Sequence, residues 1–120
     1  MNKKTLVFGA SLKPNRYSNM ALRKLVNYKQ DTVAFGLKEG EEAKVQIDTE
    51  LKDYKDIHTV TLYVNPERQK AYYNYIISLK PKRVIFNPGT ENPEFYTLLK
   101  ENNIAFEASC TLVLLSTNQY

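Results

Sequence analysis

Short apolar runs and longer apolar stripes take turns along this chain. Residues 5–8, Thr-Leu-Val-Phe, form the first run, and Met20, Ala21, Leu22, Leu25 and Val26 then recur at the spacing of one helical face. That predicts a strand, then a helix beginning near residues 16–18. Residues 31–36 supply a second strand through Thr-Val-Ala-Phe, reached by the turn Lys29-Gln30-Asp31. The next stretch, 37–56, is too polar and too short for a full crossover helix. Within it Lys44-Val45-Gln46-Ile47 predicts a small edge strand and Glu39-Gly40-Glu41-Glu42 a solvated turn.

Alternation resumes at residues 57–64, a strong strand, and Asn65-Pro66-Glu67 then opens a helix. Asn can cap it with its side chain, and Pro suits the first helical position, where its missing N–H would have had no partner. The stripe of this helix is Tyr72, Tyr75, Ile76 and Leu79, and Pro81 closes it. Residues 83–86 are another strand, Asn92-Pro93-Glu94 opens a helix burying Phe95, Leu98 and Leu99, and residues 104–108 form a last strand. Strands alternating with helices predict an α/β, Rossmann-like, doubly wound fold: a mostly parallel sheet of about five strands with helices on both faces. No repeat, linker or low-complexity tract divides the 120 residues, so residues 1–120 read as a single domain, too short to hold a catalytic domain beside a nucleotide-binding one.

In such a sheet ligands bind outside the carboxyl ends of the strands, near the point where strand order reverses. That rule selects residues 9–18, 36–38, 63–66 and 87–90. The first of these carries the most chemistry. Gly9 lets the chain turn sharply and lets backbone N–H groups approach an anion. Ser11 and Ser18 add hydroxyls, Lys13 and Arg16 add charge, and the helix start aims its unpaired N–H groups and dipole at the same place. Arg16 stands out because its planar fork can hold two phosphate oxygens. The competing reading is a plain strand-to-helix turn, capped by Ser18 or Asn15, with two solvated cations; no Gly-x-Gly-x-x-Gly is present. At the end of the second strand, where NAD-binding folds usually place an acid, stands Phe35-Gly36-Leu37-Lys38. A lysine there suits a ribose bearing a phosphate, as in coenzyme A or NADP. Glu39 beside it keeps an NAD-like reading open, and a solvated turn lysine is the plain alternative.

Composition narrows the classes further. With 42% hydrophobic and 25% charged residues, neither disorder nor a membrane span is expected. The basic Met1-Asn2-Lys3-Lys4 is followed by too short an apolar stretch for a signal peptide, so a cytoplasmic location is expected. A net charge of +4 favours an anionic partner. Tyr72, Tyr73 and Tyr75 on one helix read as core and rim rather than as a stacking platform, so a small nucleotide is expected rather than nucleic acid or membrane. One cysteine and one histidine exclude an internal disulfide and a Cys/His metal cluster. His58 falls early in its strand, away from the carboxyl edge, and Cys110 lies in an apolar run, as buried small cysteines do. No carboxylate pair asks for acid/base work, which points to a binding module rather than an enzyme.

The strand-end segments resemble a known family. Val7-Phe8-Gly9-Ala10-Ser11 with Pro14, Arg16 and Ser18 is similar to the opening of small, single-domain CoA-binding proteins, relatives of the nucleotide-binding part of the succinyl-CoA synthetase alpha subunit. Residues 60–67 resemble that family's fourth strand with its Asn/Arg-Pro-Glu helix start. Ile85-Phe86-Asn87-Pro88-Gly89 with Asn92 resembles its Trp-x-Gln-x-Gly segment, and Cys110 falls where the family often has a cysteine. The resemblance implies coenzyme A or an acyl-CoA as ligand, with Gly9, Ala10, Ser11, Pro14, Arg16 and Ser18 as the phosphate loop and Lys38 at the adenosine end. It also implies Tyr63, Asn65 and Pro66 beside the adenine or pantetheine, and Asn87 and Gly89 where the backbone approaches closely. The chain departs from the family after its second strand, at Ile85 and Asn87 in place of Trp and Gln, and at Ala108-Ser109 before the cysteine. The synthetase's phosphorylated histidine belongs to a further domain, so the resemblance implies binding without catalysis. Two other readings stand beside CoA binding: an NAD(P)-binding oxidoreductase-like domain, and an interaction protein with a degenerate nucleotide pocket.

Overall fold

A computed structural model describes residues 2–120. Its elements are β1 (Thr5–Ala10), α1 (Tyr17–Asn27), β2 (Thr32–Gly36), β3 (Gly40–Glu42), β4 (Val45–Asp48), β5 (Thr59–Leu62), α2 (Pro66–Gln69), α3 (Tyr73–Ser78), β6 (Arg83–Phe86), α4 (Pro93–Glu101), β7 (Ala105–Ala108) and α5 (Thr111–Ser116). A 3₁₀ turn, Lys70–Tyr72, joins α2 to α3. The strands form one sheet in the order β3-β4-β2-β1-β5-β6-β7. Only β3 runs antiparallel to its neighbour; the remaining pairs are parallel. The fold class matches the expectation from sequence, but there are seven strands rather than about five.

The difference lies mainly between β2 and β5. The acidic segment read as a solvated turn is β3, an edge strand paired Gly40 to Ile47 and Glu42 to Val45. Its two-residue turn places Ala43 and Lys44 at φ of 51° and 66°. Such turns usually show Asn-Gly, so the hairpin carried no sequence signal. The expected lack of a helix between β2 and the next parallel strand holds.

Alternation along β1 sorts the core into two layers. Leu6 and Phe8 face one side, with Val60, Leu62, Val84 and Phe86, under Ile76 and Leu79 from the α3 turn and Phe95 and Leu99 of α4. Val7 faces the other, with Ala34 and Ile47, under Leu22 and Leu25 of α1 and Leu115 of α5. Helices therefore cover both faces. The α5 helix was not foreseen: its run Thr-Leu-Val-Leu-Leu-Ser has no capping residue of its own, and Cys110 at its N-cap makes no side-chain bond to it.

The two Asn-Pro helix starts behave as expected. Asn65 accepts from the Arg68 amide at 2.9 Å and Asn92 from the Phe95 amide at 3.3 Å, each with proline following. The strand read as residues 57–64 is shorter, Thr59–Leu62, and the His58 and Thr59 amides both bond the Lys4 carbonyl where β5 enters the sheet.

Candidate functional site at the carboxyl edge

From β1 the chain winds outward through β2 to β4, and from β5 it winds the other way through β6 to β7. The reversal falls between β1 and β5, whose following helices pack on opposite faces of the sheet, the place where folds of this kind bind ligands. Gly9 sits at that point. It lies within β1, not after it, as a bulge between Phe8 and Ala10 in the pairing with β2, at φ 101°. A Cβ added to Gly9 would stand 2.9 Å from Val64 Cγ2 and 3.0 Å from the Tyr63 carbonyl carbon, so the backbones leaving β1 and β5 pass almost in contact. On the other flank, a Cβ on Gly36 would stand 2.3 Å from the Ala10 carbonyl oxygen. The ends of β2, β1 and β5 thus converge on residues 9–11.

Beyond Ala10 the chain makes a compact loop into α1. The Lys13 amide donates to Ser11 Oγ at 3.1 Å, and the Arg16 amide closes a turn on the Lys13 carbonyl at 3.1 Å. Arg16 is the N-cap residue of α1, with extended backbone and no side chain capping the helix, so neither Asn15 nor Ser18 fills that role. The Asn19 and Met20 amides bond the Arg16 carbonyl, which leaves the Tyr17 and Ser18 amides at the helix mouth. Ser18 is buried beneath that mouth, whereas Lys13, Pro14 and Arg16 are exposed. Among the described residues, neither Lys13 nor Arg16 joins an ion pair.

Polar side chains that the sequence did not single out hold this loop. Asn19, fully buried on α1, donates from Nδ2 to the Ser11 carbonyl and to Glu42 Oε1, each at 2.8 Å. Its Oδ1 accepts from Arg23 Nε at 2.8 Å, and Arg23 Nη2 reaches the Pro14 carbonyl at 3.1 Å. The hint in the sequence was a polar pair at i, i+4 along the edge of the apolar helical stripe.

The remaining expected site residues fall into two groups. Lys38 is exposed just past β2, and Asn65 and Pro66 stand past β5 as the cap and first residue of α2. Gly89 is exposed at φ 93°, with no atom within 4 Å of where its Cβ would be. These border the edge. Tyr63 and Asn87 point elsewhere. The Tyr63 ring packs into the α1/α5 layer, its hydroxyl near those of Thr61 and Thr111 but without a hydrogen-bond partner, and burial pushes its phenol upward. Asn87 is a bracket across strands: Nδ2 donates to Thr61 Oγ1 at 2.7 Å and the Leu62 carbonyl at 2.9 Å, while Oδ1 accepts the Thr111 amide at 2.9 Å. A second buried network, also unforeseen, ties β5 to α4, with Gln69 Nε2 bonding the Val64 and Thr90 carbonyls and Gln69 Oε1 accepting from Asn92.

Cys110 is half-buried, and His58 lies at the opposite, amino edge, bonded through Nδ1 to Thr59 Oγ1. Two hollows of about 260 and 610 Å³ also open at that amino edge, around Tyr28 and Tyr120 and around Lys4, His58 and Lys82. No group of His, Cys, Asp and Glu able to hold a metal is found among the described residues, and no helix there is long and apolar enough to cross a membrane.

Comparison with known proteins places this arrangement. One solved structure, of an uncharacterized protein, is 46% identical with a TM-score of 0.97, covering 100% of this chain and 99% of that one. A hypothetical protein from Pyrococcus horikoshii is 25% identical with a TM-score of 0.86, covering 98% and 84%. A protein from Thermus thermophilus, at 21% identity, shares the fold with a TM-score of 0.88, covering 99% and 91%. Comparison with curated proteins gives no match. The family model described as CoA binding domain matches residues 3–116, nearly the whole chain, and the protein therefore belongs to the CoA binding domain family.

Proposed function

We propose that this protein binds coenzyme A, free or acylated, across the carboxyl edge of its sheet, that residues 9–18 hold the diphosphate, and that it catalyses no reaction itself. The observation that carries this reading is the mouth of α1. Its first amides have no side-chain cap, and it opens beside two exposed cations outside any ion pair among the described residues, at the point where strand order reverses. Anions bind such places because N–H groups and the helix dipole favour negative charge. Arg16 supplies the bidentate partner for phosphate oxygens, Lys13 a second charge, and Lys38 a cation for a phosphate on the ribose. Bound CoA would contribute a thiol able to carry an acyl group; the chain contributes grip and orientation.

The test is calorimetric titration of CoA into wild-type protein and Arg16→Ala, with a thermal melt of each ligand-free protein. Loss of a charge-assisted partner should cost about 1.5–3 kcal/mol of binding. Because Arg16 is exposed and outside any ion pair, the melting temperature should stay put. An unchanged dissociation constant would overturn the assignment of the loop. Mass spectrometry of small molecules released from the native protein separates the ligands: CoA supports the reading, and NAD(P) refutes it.

A further inference from the structure

The geometry points to Asn19 and Arg23, fixed together with Glu42, as the side chains that set the polarity of the phosphate loop by holding the Ser11 and Pro14 carbonyls inward and so turning the Leu12 and Asn15 N–H groups outward. This inference rests on the function proposed above and assigns the part of the chain that positions the site.

In a trans peptide the C=O and the following N–H point in opposite directions, and no cis peptide occurs among the described residues. The Ser11 carbonyl is drawn onto Asn19 Nδ2, so the Leu12 N–H is directed away from α1. The Pro14 carbonyl is drawn onto Arg23 Nη2, so the Asn15 N–H is directed away as well. The Arg16 carbonyl takes the Asn19 and Met20 amides, which turns the Tyr17 N–H out of the helix mouth. Lys13 needs no such device, since its carbonyl takes the Arg16 amide and the next residue, Pro14, has no N–H. With these four carbonyls held inward, the Leu12, Asn15 and Tyr17 N–H groups are left facing outward, as donors do in anion-binding backbone nests.

A side-chain amide could flip and present Oδ1 to the Ser11 carbonyl, which would repel it. Two neighbours prevent the flip. Glu42 Oε1 accepts the second Nδ2 hydrogen, and Arg23 Nε donates to Oδ1. The orientation of Asn19 is therefore dictated by an acceptor on one side and a donor on the other, and burial makes the wrong orientation costly. Glu42 sits on β3, so the hairpin that replaces the crossover helix fixes the amide that in turn fixes the loop. A second contact binds hairpin to loop, for a Cβ on Gly40 would stand 2.6 Å from Leu12 Cδ1.

Inorganic pyrophosphate and CoA serve as probes, titrated into wild type, Asn19→Ala, Arg23→Lys, Glu42→Ala, Glu42→Gln and Arg16→Ala, with melts of each apo protein. Asn19→Ala should weaken both probes about tenfold, since a hydrogen bond to the ligand depends on each turned carbonyl. Arg23→Lys keeps the charge but gives up the planar fork whose separate nitrogens span Asn19 Oδ1 and the Pro14 carbonyl, so it should lose severalfold affinity with an unchanged melt. Glu42→Ala should also weaken pyrophosphate, whereas Glu42→Gln keeps an acceptor for Asn19 and should restore near-wild-type binding. A merely structural role would move melts and leave pyrophosphate affinity and its rescue alone. Arg23 is exposed and Glu42 half-buried, so these variants carry the test even if Asn19→Ala fails to fold. Wild-type affinity in both Arg23→Lys and Glu42→Ala overturns the inference, and a loss in Arg16→Ala alongside it leaves the CoA reading standing. Pyrophosphate binding that depends on Asn19 without any CoA binding supports the inference and sinks the CoA reading. A wild-type protein that binds neither overturns both.

Discussion

Gly9 and Gly89 allow crowding to be separated from backbone strain by experiment. Both have positive φ, 101° and 93°, so an alanine at either site must adopt a conformation that L-residues rarely hold. That strain is on the order of 1–3 kcal/mol. At Gly89 nothing lies within 4 Å of the new methyl, so strain is the whole effect. At Gly9 the methyl would meet Val64 Cγ2 at 2.9 Å and the Tyr63 carbonyl carbon and oxygen at 3.0 and 3.1 Å. Val64 can shift, but the Tyr63 backbone is pinned by its amide bond to the Phe8 carbonyl at 2.8 Å. Overpacking of that kind adds about 1–3 kcal/mol. Gly9→Ala should therefore destabilise by about 2–6 kcal/mol and exceed Gly89→Ala by the crowding contribution. With nine tyrosines and no tryptophan in the chain, far-ultraviolet circular dichroism is the probe of choice. Urea unfolding gives the difference as a shift of midpoint at constant slope. A Gly9→Ala midpoint equal to or above that of Gly89→Ala would refute the close approach of β1 to the end of β5.

Three further outcomes are expected. Asn87→Ala leaves the Leu62 carbonyl and the Thr111 amide without their partner and should cost about 1–3 kcal/mol for each buried group; urea unfolding checks it, and a cost below about 1 kcal/mol would show that water takes over the bracket. Lys38→Glu should weaken CoA more than dephospho-CoA, and equal losses by calorimetry would remove Lys38 from the ribose phosphate. Burial, with Arg83, Lys3 and Lys82 adding to it, holds the His58 imidazole below its ordinary value of 6.5. The unfolded chain therefore takes up the proton first, and the fold loses stability as pH falls below 6.5 toward the lowered value. His58→Gln should flatten melting temperature between about pH 5 and pH 7, and an unchanged slope there would assign it to other groups.

The parallel sheet was legible because its signals are local. Leu6, Val7 and Phe8 form a continuous apolar run of the kind a strand covered on both faces requires, and Asn65-Pro66 and Asn92-Pro93 announce helix starts with caps the structure shows. Strand β4 was legible in Val45-Gln46-Ile47, but its hairpin with β3 was not, because Ala43 and Lys44 adopt left-handed backbone without the residues that favour it, and Glu41 and Glu42 suit an edge strand no less than a turn. For the candidate site, chemical type singles out Gly9, Lys13 and Arg16, and the structure adds where they stand. What type could not reveal was which polar groups are already engaged. Asn87 and Asn19 are the same amide by sequence, yet one brackets three elements and the other holds a loop, and only the long-range partners Thr111 and Glu42 distinguish them.

The Asn87 bracket also bears on the order in which the molecule assembles. The α5 helix has six residues, too few to persist alone, and its first amide is satisfied by a side chain 24 residues earlier, on the far side of α4 and β7. It cannot be complete until β5 and β6 are paired and Asn87 is seated on the Leu62 carbonyl. Native-state hydrogen exchange should therefore find α5 opening as a unit of its own, at lower free energy than β1 and β5. Each opening would uncover Leu115 and the apolar layer over Val7 while leaving the loop at the mouth of α1 intact. The end of the chain would then breathe independently of the ligand edge, and bound CoA should slow exchange in residues 9–19 without protecting residues 111–116.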